Sequence, residues 1–153
     1  MMHTQIFSRR FAFVAGLLCC GVALADQQSG SLAAAASAQA NWVITCEPEG
    51  GIVSAKLAFQ IEGLTKGRKF TVQATALKDG IGASTVDFKA ADKKPSAFAF
   101  DIAGDGAYLV NISKVVTLGP STAAKLKGNM LYALTAHCES ATGFHTRTAI
   151  RRG

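Results

Sequence analysis

The sequence predicts an all-β protein: a single antiparallel sandwich of about 7–8 strands, closed by one disulfide, with a barrel of five to eight strands as the alternative. Three observations predict it. After Trp42 the apolar residues recur with a period of two, the pattern of strands whose side chains alternate between faces. Turn residues interrupt the alternation at Glu49-Gly50-Gly51, Lys66-Gly67, Asp79-Gly80, Lys94-Pro95, Gly104-Asp105-Gly106 and Gly119-Pro120. Cys46 and Cys138 both fall in the inward phase of their own alternating segments.

The order along the chain begins with an export signal over 1–25. Arg9 and Arg10 precede an apolar run, Phe11 to Leu24, which ends in Ala23-Leu24-Ala25. A basic start, a short apolar run and a small-x-small end mark a segment that signal peptidase removes. The run is shorter than the ~20 apolar residues that span a bilayer. Ser8-Arg9-Arg10 also fits a twin-arginine signal, so the export route stays open. Ala38-Gln39-Ala40 offers a second cleavage site, farther from the apolar run than Ala25. Leu18 before Cys19 is too large for a lipoprotein signal. The expected location is therefore periplasmic or extracellular, with no membrane span after cleavage.

Residues 26–40 are rich in Ala, Ser and Gln and show no periodic pattern, so a flexible tether is expected there. The sandwich domain then runs over 41–153. With the tether it makes roughly 130 residues, the size of one domain. Its expected strands centre on Trp42–Cys46, Val53–Ile61, Phe70–Ala76, Val86–Phe88, Phe98–Ile102, Tyr108–Ile112, Tyr132–Cys138 and Phe144–Ile150. A helical turn is expected near Ser121–Leu126, inside the long connection 117–129.

Loss of the signal removes Cys19 and Cys20 and leaves Cys46 and Cys138. In an oxidising compartment two cysteines pair most simply with each other. It also takes two arginines from a net charge of +6, leaving a mildly basic chain. No basic stripe is interleaved with aromatics, so nucleic acid is not an expected partner.

The segment Gly104-Asp105-Gly106-Ala107-Tyr108-Leu109-Val110-Asn111-Ile112 resembles the tyrosine corner of immunoglobulin-like sandwiches. The resemblance is to the superfold alone. It implies that Asp105 and Gly106 turn the chain between sheets and that the Tyr108 hydroxyl bonds back to the backbone upstream. Val110 stands where antibody domains have a cysteine, which sets this chain apart from them.

Chemistry-bearing residues are few. No Gly-x-Ser-x-Gly elbow, Ser-x-x-Lys pair or phosphate loop is present, so no enzyme activity is expected. If Cys138 pairs with Phe144 across a hairpin, His137 stands opposite His145 on the outer face, with Ala136, Leu134 and Tyr132 opposite Thr146, Thr148 and Ile150. Two imidazoles so placed can hold copper or zinc, although a zinc site wants a third protein ligand at least. The leading expectation is a non-catalytic exported module without a cofactor, binding a protein or a cell-envelope component. The second is a small metal-handling protein that uses His137 and His145.

Overall fold

The structure, a computed structural model, describes residues 26–65, 71–115 and 128–153. The export signal expected at 1–25, the turns expected at Lys66-Gly67 and Gly119-Pro120, and the helical turn expected at Ser121–Leu126 lie outside the described residues, as does most of the connection around it. The described residues form nine strands: β1 (Asp26–Leu32), β2 (Gln39–Glu47), β3 (Lys56–Gly63), β4 (Thr71–Lys78), β5 (Ile81–Asp87), β6 (Ala99–Asp101), β7 (Gly106–Val115), β8 (Met130–Glu139) and β9 (His145–Arg152). All their pairings are antiparallel.

The strands form two layers. The back sheet runs β5-β4-β7-β2-β9, and the front sheet runs from β9 through β8 and β3 to β6, with β1 also paired to β8. Strand β9 belongs to both. Its first residues, His145 and Thr146, pair with Glu139 and Cys138 of β8. Arg147 to Arg152 then pair with Glu47 to Trp42 of β2.

The core is built from the inward phase of the long strands. Trp42, Ile44 and Cys46 of β2 and Tyr108, Val110 and Ile112 of β7 face Leu57, Phe59 and Ile61 of β3 and Tyr132, Leu134, Ala136 and Cys138 of β8. Burial of these side chains is the main force joining the layers, at about 1.5–3 kcal/mol for each large aliphatic group. The Cys46–Cys138 disulfide ties β2 to β8 across the layers. The β4–β5 hairpin closes on Asp79-Gly80, both with positive φ (52° and 80°), as a two-residue turn of type I′ requires.

Several expectations are corrected. The segment 26–40 is not a tether: residues 26–32 form β1, paired residue for residue with Met130–Ala136, and β2 already begins at Gln39. The physical reason is an open edge. Strand β9 holds β8 only at Cys138 and Glu139, so the β8 edge before Cys138 needs another partner, and β1 supplies it along Met130–Ala136. Strand β6 carries the opposite phase from that expected, with Asp101 turned in and Phe98, Phe100 and Ile102 turned out. Val53 and Phe88 are likewise exposed, because β3 starts only at Lys56 and β5 turns Thr85 and Asp87 inward.

The β8–β9 hairpin is shifted by two residues: Cys138 pairs with Thr146, not Phe144, and Phe144 is exposed. The pairs Ala136–Thr146, Leu134–Thr148 and Tyr132–Ile150 do not form, since β9 has crossed to β2 by then.

Candidate binding face

The front sheet's outer surface gathers the polar and aromatic groups of four strands. On β8, His137 and Glu139 are two residues apart and so share a face. Register sets Lys56 of β3 opposite Glu139 and Ala58 opposite His137, and sets Phe100 of β6 on the far side of Ala58. His145 of β9 lies opposite Glu139. Ala58 is fully buried although its side chain points outward, the mark of large neighbours closing over a methyl group.

Those neighbours make one connected cluster. His137 Nε2 lies 2.6 Å from Glu139 Oε1, and Lys56 Nζ lies 2.8 Å from Glu139 Oε2. The His137 ring stacks on His145 with centroids 4.5 Å apart and planes 21° from parallel. Phe98 meets the His137 ring edge-on at 5.4 Å, and Lys56 Nζ sits 4.5 Å above the Phe100 ring. Loss of solvent would raise the Glu139 pKa. The hydrogen bonds from Lys56 and His137, together with their charges, outweigh it and hold the carboxyl below its ordinary value. His137 Nδ1 is buried and has no hydrogen-bond partner among the described residues.

The histidine pair expected from the hairpin is thus brought together, by a different register. A shift of two residues keeps every side chain on its face, so His137 and His145 meet diagonally instead of directly opposite. Lys56, Phe98 and Phe100 were not expected here. Residues 97–102 are apolar in both phases except at Asp101, so alternation alone does not choose which side turns in.

The turn before β7 is a second polar centre. The Tyr108 hydroxyl donates to the Gly104 carbonyl, and the Ser54 amide donates to Asp105 Oδ1 at 2.8 Å. Gly104 and Gly106 both have positive φ, 77° and 115°. A Cβ on Gly106 would also press to 3.0 Å from Lys78 Cε. Burial first, then the charges of Asp101, Asp105 and Asp79, push the Tyr108 pKa up to about 12. Asp101, inward and almost fully buried, accepts from the Ala103 amide through Oδ1, while Oδ2 has no partner among the described residues.

Fold and face together define an antiparallel all-β domain stapled by a disulfide, with an aromatic and imidazole cluster on one sheet. No known protein family, curated protein or solved structure matches the chain. Among the described residues no helix is long and apolar enough to cross a membrane.

Proposed function

We propose that this is an exported, non-catalytic binding module, immunoglobulin-like in build, whose front face contacts a protein of the cell envelope. One observation carries the reading. Phe98 and Phe100 stand about half exposed beside the Lys56–Glu139–His137 cluster, on a face backed by a rigid sheet. Single exposed apolar residues are ordinary, but aromatic rings grouped beside a preformed ion pair have the make-up of an interface centre. Phe144 and Ile102, more exposed still, extend the apolar character of the hairpin loop and of the β6 end.

Export is supported by the basic-apolar-small pattern of 1–25 and by a disulfide of the kind that persists in oxidising compartments. The immunoglobulin-like reading is supported by the Tyr108–Gly104 bond, four residues apart, at the turn into β7. The test is a cross-linking capture from intact envelopes with the chain from Asp26 onward, which holds the nine described strands. A specific partner should be retained by the wild type and lost by Phe100→Ala, with the fold intact by circular dichroism. Equal capture by Phe100→Ala and Phe98→Ala would overturn the assignment of this face.

A further inference from the structure

The geometry points to a divalent transition-metal site at His137, Glu139 and His145, taking zinc or copper(II), with Lys56 as the cation that the metal displaces from Glu139. This goes beyond the binding reading, since a protein contact on this face needs no metal.

The donor set is the first argument. Two residues two apart on β8 and one across on β9 offer two imidazoles and a carboxylate, with ligand atoms all within 4.8 Å of one another. Donors on one zinc lie at most about 4 Å apart, twice the ~2.0–2.2 Å metal–ligand distance. The cluster must therefore tighten by roughly an ångström. The His145 side chain can provide this, because it is exposed while those of His137 and Glu139 are largely buried. Three N/O ligands with a fourth position open to water suit zinc and copper(II). The only cysteines past the signal segment are locked in the disulfide, so no soft thiolate is offered.

The second argument is that the carboxylate is already a cation holder. Lys56 Nζ occupies Glu139 Oε2, and the His137 N–H occupies Oε1. A metal held by Nε2 and the carboxylate would take the place of that hydrogen, which passes through solvent to Nδ1 of the same ring with no net loss of a proton, and Lys56 lets go of Glu139. The neutral His137 must then carry its hydrogen on Nδ1, which is buried without an acceptor among the described residues. Tight sites give that N–H an outer partner, so its absence makes this an exchangeable site of moderate affinity.

The test uses the chain from Asp26 onward, which contains only two histidines, both in the site. Zinc and copper(II) salts are titrated separately by calorimetry, and the copper form is read by electron paramagnetic resonance. One equivalent should bind, with hyperfine structure from two imidazole nitrogens. His145→Ala, on an exposed side chain, should weaken binding tenfold or more and leave one nitrogen. Glu139→Gln should weaken it too, while Lys56→Met, which removes the competing cation, should tighten it severalfold. No binding by the wild type, or equal affinity in His145→Ala, would overturn the proposal. So would a Lys56→Met affinity no tighter than that of the wild type.

Discussion

Trp42 donates its indole N–H to the Tyr132 hydroxyl at 2.9 Å, across the interior from β2 in the back sheet to β8 in the front sheet. The same two strands are joined by the Cys46–Cys138 bond, so β2 and β8 are fastened at two levels, one polar and one covalent. Tyr132→Phe removes the acceptor and leaves a buried indole N–H unpaired, which costs about 1–3 kcal/mol. Urea unfolding should show that loss. Trp42 is the only tryptophan, so its fluorescence should report the change directly.

Breaking the covalent link should cost more. The disulfide closes a loop with a sequence separation of 92, and a crosslink of that span restricts the unfolded chain by roughly 4–5 kcal/mol, before any native strain is subtracted. The double variant Cys46→Ala/Cys138→Ala should lose stability of that order in denaturant titration. A loss under about 1 kcal/mol would show that loop closure contributes little here.

Asp101 should make stability fall as the solution is made less acidic. Burial raises its pKa above the usual aspartate value, against smaller opposing effects of the Ala103 amide and the Lys78 charge. The folded state therefore holds the proton more tightly than the unfolded one. The penalty is absent below the unfolded pKa of about 3.9 and grows as pH rises through the folded value. Asp101→Asn keeps an oxygen for the Ala103 amide and removes the buried charge. Its melting temperature should exceed the wild type at pH 7, and the two should converge near pH 3. A constant difference across that range would mean that the carboxyl's ionisation is not the cause.

Gly30 is the residue on which β1 depends for its seat. A Cβ there would stand 2.3 Å from the Tyr132 hydroxyl oxygen, and Tyr132 is fully buried. Gly30→Ala should cost about 1–3 kcal/mol by overpacking. It should also loosen β1 from β8, seen as faster hydrogen exchange in residues 27–32 and 130–136 while the β2–β7 amides stay protected.

These residues also show how far the sequence can be read. The inward phases of β2, β4, β7 and β8 are plain because each carries a run of alternating apolar residues against polar ones. β1 gives no such signal: it packs through a glycine and a single buried Leu32, and its remaining side chains are small or polar. β6 gives a misleading one, because alanines and phenylalanines compete for the inward phase and only pairing with Leu57 and Phe59 decides it. The candidate site was half legible. His137 and His145 could be placed on one face from phase alone, but Lys56 and Phe100 arrive through β3 and β6, whose pairing with β8 is long-range and has no local signature.

The crossing of β9 has a mechanical consequence. A sandwich whose layers touch only through side chains can shear, one sheet sliding on the other, at the cost of repacking. Here one continuous backbone is hydrogen-bonded into both layers within eight residues, His145–Arg152. Sliding the layers would tear that strand from one neighbour or the other. A sideways load on the front sheet at His145 passes along β9 into β2 and so into the back sheet, and the domain carries it as one stiff shell.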